Sequence, residues 1–219
     1  MGTLIATEFM TLDGVAQAPG GPDEDPQGEF THGGWQAPWM TMAAGAAVFR
    51  QAENMDALLL GRKTYDIFAG YWPGAPVENP FTGLLNRVPK YVASRTLTSP
   101  LAWDGAELVA GDLAHSIGEV KARHDEVHVI GSLDLLQSLL RLNLVDRLNL
   151  WQYPLLLGRG KRVFADGTVP AALDLTESVT HSNGVLQLTY ELAGPPTYGD
   201  MTVDDAANAG ELPSQEGQG

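Results

Sequence analysis

Short apolar runs alternate with longer helix-forming stretches along most of this chain, and glycines stand at several of the junctions. Thr3–Phe9 is β-prone and loosely alternating, which predicts an opening strand that ends near the turn signal Asp13-Gly14. The alanine-rich stretch Trp35–Asn54 reads as a helix packed closely on a sheet. Ala57–Leu60 is continuously apolar and stops at Gly61, as suits a strand covered on both faces of a parallel sheet, and Arg62, Lys63 and Thr64 then open a helix. Lys90–Ser94 and Glu107–Ala110 read as strands and Leu113–Arg123 as a helix. A strand from His124 then ends on Gly131, and a helix follows directly over Ser132–Leu140. The last third is mostly strand: Leu148–Leu157, interrupted by Pro154, then Asp174–Thr180 and Val185–Leu192, with the hairpin signal Asn183-Gly184 between the last two. The chain therefore ends antiparallel.

Between these elements lie two long loops. Gln17–Gly34 is rich in glycine, proline and acids, and a loop of that length within a compact domain is usually functional or disordered. Ala69–Phe81 carries Tyr71, Trp72 and three prolines. From Gly194 onward the composition cannot bury enough apolar area to offset its ordering entropy, so the reading is one domain over 1–194 and a disordered acidic tail over 195–219.

Composition narrows the function classes. The formal charge of −14 disfavours nucleic acid and anionic membrane as partners, yet a local basic pocket survives in such a chain because distant charges are screened. Cations cluster at Arg62/Lys63, Lys90/Arg95 and Arg159/Lys161/Arg162. With no cysteine, disulfides and thiolate chemistry are excluded. The five histidines lack metal-ligand spacing, so no metal is expected. No apolar run approaches the ~20 residues of a membrane helix, and the default expectation is a cytoplasmic protein. A nucleophilic serine elbow of the form Gly-x-Ser-x-Gly is absent.

A strand, a glycine and a helix start occur in succession twice, at Leu60-Gly61 and at Ile130-Gly131. Free N–H groups and the helix dipole favour an anion at each, and two such starts suit the two phosphate regions of a dinucleotide. Neither site is a Gly-x-Gly-x-x-Gly fingerprint, and Gly158-Arg-Gly-Lys161 is not a Walker loop.

Four stretches in order carry a resemblance: Thr11-Leu-Asp-Gly-Val-Ala16, Leu60-Gly-Arg-Lys-Thr-Tyr65, Val129-Ile-Gly-Ser132, and Pro154-Leu-Leu-Leu-Gly-Arg-Gly-Lys-Arg-Val-Phe164. Together they resemble the dihydrofolate reductase-like superfamily, and within it the family of the riboflavin-biosynthesis reductase C-terminal domain, over roughly residues 2–193. The resemblance implies a three-layer α/β/α sandwich, its central sheet mostly parallel with an antiparallel C-terminal edge, and NADPH lying across the strand ends. By similarity, Gly61, Arg62, Lys63 and Thr64 face the adenosine and phosphate side. Ser94 and Arg95 hold the 2′-phosphate, Ile130, Gly131, Ser132 and Leu133 meet the pyrophosphate and nicotinamide, and Val15 and Ala16 flank the nicotinamide.

Two departures shape the functional reading. Folate-reducing members carry a carboxylate early in the first long helix, whereas Trp39–Val48 contains no acid and Glu53 comes too late, so this is not a true dihydrofolate reductase. Ser132 replaces the second glycine of the usual pair, adding a hydroxyl near the expected pyrophosphate. The expected activity is NADPH-dependent hydride transfer to a small heteroaromatic or imine/carbonyl substrate; the alternative is a protein that binds or sequesters a small molecule without turnover. Asp13 is the candidate acid/base group, although an Asp before Gly also suits an ordinary turn. His32, Trp35, Trp39, Tyr71, Trp72 and Tyr153 are candidates for the substrate pocket. A homodimer through the β-rich final third is expected, with Trp151 and Tyr153 at the contact.

Overall fold

The computed structural model describes residues 1–109 and 111–201. β1 (Thr3–Thr11) is buried along almost its whole length because strands flank it on both sides: β5 (Glu126–Ile130) and β6 (Arg147–Tyr153) each pair with it in parallel. Beyond β5 lie β2 (Ala57–Gly61), β3 (Lys90–Ala93) and β4 (Ala106–Val109), all parallel. Beyond β6 the direction reverses, with β8 (Leu186–Leu192) antiparallel to β6 and β7 (Leu173–Thr180) antiparallel to β8. The eight strands run in the order β4-β3-β2-β5-β1-β6-β8-β7.

Helices cover both faces, as continuous apolar strands require. Leu58, Leu60 and Val92 point to one side, where they meet Tyr65 of α2 (Arg62–Tyr71) and Leu84 and Leu85 of α3 (Pro80–Arg87). On the same side α1 (Met42–Ala52) lays Ala47 and Val48 over Trp151 and Tyr153. Leu59, Tyr91, Val127 and Val129 point the other way, against Ile117 and Val120 of α4 (Leu113–Arg123) and Leu136 and Leu139 of α5 (Leu133–Arg141). Fully burying one such leucine contributes about 2 kcal/mol. This is the three-layer sandwich, mostly parallel with an antiparallel edge, that the resemblance implies.

Several local expectations need correction. The helix over Trp35–Asn54 begins only at Met42, because Pro38 fits a first turn and not a helix interior. Ala37–Trp39 forms a single 3-10 turn instead, and Thr41 then caps α1 by accepting the Ala44 amide at 3.1 Å. The loop over Ala69–Phe81 is shorter than its prolines suggest: α2 runs on to Tyr71, and Asn79 with Pro80 at the first position starts α3. Trp151 and Tyr153 are 0% and 2% exposed, so neither offers a contact surface; their side chains fill the space under α1. Residues 195–201 follow β8 without regular structure, and the remainder of the expected tail, 202–219, lies outside the described residues. No described helix is long and apolar enough to cross a membrane.

Candidate functional site

The pairing of β1 with β5 stops at Thr7 and Ile130, while β1 and β6 continue together to Tyr153. The Gly131 amide closes the ladder on the Thr7 carbonyl at 3.2 Å, and beyond it the two strands part. A cleft of about 1860 Å³ opens there, along the carboxyl ends of the parallel strands, where ligands bind in open α/β sheets. Pockets for a drug-sized molecule measure roughly 300–1,000 Å³. This cleft has room for a dinucleotide and a second compound.

The starts of all five described α-helices line the cleft, and two of them are open to a ligand. α1, α3 and α4 have side-chain caps from Thr41, Asn79 and Asp112, but α2 and α5 have none, so their first N–H groups remain available to a ligand. Gly131 and Ser132 both adopt the left-handed conformation at φ 62, which turns the chain from β5 into α5 within two residues. Ser132 then joins the two starts: its hydroxyl accepts the Gly61 amide at 3.0 Å, and its own amide donates to Thr64 Oγ1 at 3.1 Å. The acceptor side of the hydroxyl is thus engaged within the protein.

Around these starts the cations divide into two groups. Arg62 donates to Thr96 at 2.7 Å and lies 3.4 Å from Asp66, while the neighbouring Arg95 is exposed on the rim. Lys63 and Lys161 approach each other from α2 and from the basic turn, and both line the cleft. Lys63 is held below its ordinary pKa, first by contact with Lys161 and then by burial. The loop over Gln17–Gly34 answers this pair: Asp25 bonds Lys161, and Gln27 bonds Lys63. Burial alone would raise the Asp25 pKa, but Lys161 outweighs it and holds the carboxyl below its usual range. Gln17 fixes the loop from within, donating to the Asp25 and Gln27 carbonyls at 2.9 Å each and accepting the Lys161 amide at 3.0 Å.

The cleft gathers Ala16, Gly61, Arg62, Lys63 and Thr64, together with Ser94, Arg95 and the run from Ile130 to Leu133. Val15 lies behind its wall, wholly buried against Phe30 and Trp35. The Ser94 hydroxyl accepts the amides of Thr96 and Leu97 at 3.2 and 3.1 Å, so it shapes the turn that presents Arg95.

Asp13 stands apart from the cleft. Its carboxylate accepts the Thr11 hydroxyl at 2.5 Å and the Gly158 and Leu157 amides at 2.7 and 3.3 Å. Partial burial would raise its pKa, but these bonds outweigh it and hold the group below the usual carboxylate range. That is a tie between two turns, which explains the residue without proton transfer.

Of the six aromatic candidates, only Trp72 lines the cleft. Trp35 donates its indole N–H to the Gln17 carbonyl at 2.8 Å and meets Tyr153 edge-on at 5.3 Å. Trp39 packs on the same ring, and His32 stands edge-on to Phe30. Tyr71 is exposed beside Trp72. The Tyr153 hydroxyl accepts from Gln36 at 2.7 Å, and burial pushes its pKa to about 12; Gln36, not Tyr153, reaches the cleft.

One lining residue escaped the sequence reading. Glu8 is 1% exposed, its Oε1 has no hydrogen-bond partner, and burial raises its pKa well above the ordinary value. The sequence offers only an acid within the β-prone run Thr3–Phe9; that this strand lies inside the sheet, where a charge has no solvent to face, comes from the topology.

The sequence profile of the RibD C-terminal domain family matches residues 2–187. An uncharacterized protein, YyaP, from Bacillus subtilis (strain 168) is 25% identical over 195 residues, covering 87% of this chain and 95% of that protein. Among solved structures, a pyrimidine reductase-like protein from Corynebacterium diphtheriae superposes with a TM-score of 0.60 at 15% identity, covering 87% of this chain and 92% of the other. The diaminohydroxyphosphoribosylaminopyrimidine deaminase/5-amino-6-(5-phosphoribosylamino)uracil reductase of Thermotoga maritima gives 0.57 at 15% identity, over 88% of this chain and 57% of that one. Both share the fold.

Proposed function

The chain belongs to the RibD C-terminal domain family, and from that premise we propose that it is an NADPH-dependent reductase of a small heteroaromatic or imine/carbonyl compound. The observation that carries the reading is the pair of uncapped helix starts, latched by Ser132 and facing one cleft with Arg62, Lys63 and Arg95. Uncapped N–H groups and nearby cations are what the phosphates of a dinucleotide require.

In this reading, Gly61 to Thr64 and Ile130 to Leu133 hold the two phosphate regions. Arg95, presented by the Ser94 turn, takes the 2′-phosphate, and Ala16 lies against the nicotinamide. The bound cofactor supplies the hydride, and the protein contributes orientation and exclusion of water. The acceptor lies in the rest of the cleft, beside Trp72 and Phe81. The names of the two structural relatives suggest its class, since one is pyrimidine reductase-like and the other acts on a phosphoribosylamino-uracil. A pyrimidine-type acceptor is therefore the first to test. The absence of an acid from the start of α1 argues against a folate substrate.

Calorimetry with NADPH and NADH, followed by NADPH oxidation with 5-amino-6-(5-phosphoribosylamino)uracil and simpler imines, tests the reading. NADPH should bind more tightly, Arg95→Ala should narrow the gap, and at least one acceptor should be reduced. Equal affinities would overturn the cofactor assignment. Tight acceptor binding with no turnover would replace the reductase by a binding protein.

A further inference from the structure

Glu8 occupies the first position of β1 beyond its last β5 partner, where the sheet splits. On one side it is still held by β6, opposite Leu150, so its backbone is fixed. On the other side lies the cleft. Its side chain shares a face of β1 with Ala6 and Met10, which belong to the apolar cluster under α4 and α5. The carboxyl therefore stands in an apolar wall at the mouth of the split, and Oε1 is enclosed without a donor among the described residues.

A carboxylate in such a wall lacks the partners that make buried charge tolerable. The charged residues that share the cleft come from other elements: Arg62 and Lys63 from α2, Arg95 from the turn after β3, Asp134 and Arg141 from α5, Glu24 and Asp25 from the acidic loop, and Lys161 from the basic turn. None of them contributes to its shift, which burial alone produces. Burial thus favours the protonated form of the ligand-free group, and one oxygen is aimed at no donor among the described residues. Structural acids in this chain look different, since Asp13, Asp25 and Asp146 are all engaged by hydrogen bonds.

We propose that Glu8 is the catalytic acid of the site, donating its carboxyl proton to the nitrogen or oxygen of the acceptor's C=N or C=O group. The assignment rests on the reductase reading above. Two electrons and one hydrogen reach the acceptor carbon as hydride from the reduced nicotinamide dinucleotide. The proton that completes the adjoining atom leaves Glu8, and the resulting carboxylate recovers a proton from water once the product departs. A strand residue thereby supplies the acid that α1 lacks.

Two measurements test this, one of them without turnover. Infrared spectra of the ligand-free protein near neutral pH should show a buried protonated-carboxyl band that Glu8→Gln removes; identical spectra would overturn the proposal, whatever the protein reduces. In single turnovers with NADPH and 5-amino-6-(5-phosphoribosylamino)uracil, Glu8→Gln should slow oxidation about 100-fold. NADPH affinity should stay within about twofold, and Glu8→Asp, which keeps an acid, should recover part of the rate. The rate of the parent should fall as pH rises through the Glu8 titration, and that limb should be missing from Glu8→Gln. A Glu8→Gln protein that folds, binds NADPH and turns over like the parent would overturn the assignment. Failure of the reductase reading shows differently, as a parent that fails to oxidise NADPH whichever acceptor is added, and it removes the proton transfer as well.

Discussion

The Ser132 hydroxyl accepts the Gly61 amide at 3.0 Å, and through this bond the starts of α2 and α5 are held at a fixed separation. Ser132 pays for the position with a left-handed backbone at φ 62, which favours glycine. The serine thus trades local strain for a bond between two helices. Ser132→Ala keeps the strain and loses the bond, so it should destabilise the fold by about 1–2 kcal/mol. Ser132→Gly loses the bond but relieves the strain, and should come within about 0.5 kcal/mol of the parent. Urea denaturation of both variants decides; equal losses would mean that the backbone conformation carries no cost here.

Gly160 sets the position of Lys161. Its φ of +126 is suited to glycine, and a β-carbon there would lie 2.6 Å from Val15 Cγ1 and 2.8 Å from the Phe30 ring. Both neighbours are buried, so neither can retreat cheaply. Gly160→Ala should cost about 3 kcal/mol, seen as a melting temperature lower by roughly 6–12 °C. It should also shift Lys161 and loosen Asp25, giving faster amide exchange in the loop over Gln17–Gly34. Unchanged exchange with lowered stability would separate the turn from the loop.

The sheet and the two glycine junctions were legible because each rests on local chemistry, whereas the expected pairing of Lys90 with Arg95 was not, since Lys90 is buried and bonds the Asn86 and Asp104 carbonyls. Ala57–Leu60 could hardly be anything but a covered strand, and Leu113–Arg123 carries its helical period within its own residues and its cap, Asp112, directly before them. What escaped depends on distant partners. The bond that Asp13 accepts from Gly158, 145 residues away, is of that kind. Trp151 and Tyr153 look like surplus apolar surface until α1 is laid across them. Glu8 was overlooked for the opposite reason: its meaning comes from a missing partner, and a sequence does not display where a strand loses its neighbour. The start of α3 was written plainly in Asn79-Pro80, but the loop's prolines obscured it.

Burial of Glu8 also links stability to pH. Its folded pKa is raised above the ordinary 4.5, so the folded state binds a proton that the unfolded chain releases at lower pH. The corresponding stability is fully present below the unfolded value and is lost as pH rises through the folded one. Ligand-free protein should therefore weaken between about pH 5 and the raised value, by up to about 1.4 kcal/mol per pH unit. Glu8→Gln should flatten that slope and be the more stable of the two at neutral pH. Denaturant titrations across the range check this, and parallel curves for parent and variant would show that Glu8 is ionised in the folded state.

Part of the exposed apolar surface lies at the antiparallel edge of the sheet. All of β7 is exposed, and among the described residues its backbone has no strand partner on the outer side. Leu173 and Leu175 stand 37% and 53% exposed, in register with Leu192 and Tyr190, which are only partly covered by the cluster under α4 and α5. An open edge beside an apolar face is a liability that association removes. The expected homodimer is therefore relocated from Trp151 and Tyr153 to this face, with the β7 and β8 hairpins of two copies covering each other. Light scattering should give twice the chain mass, and Leu175→Glu, which places a charge at the centre of the face, should return monomers that keep the parent's circular dichroism spectrum. A monomeric parent ends the idea. A dimer that survives Leu175→Glu puts the contact on another surface, and the exposed leucines of β7 are then left to solvent.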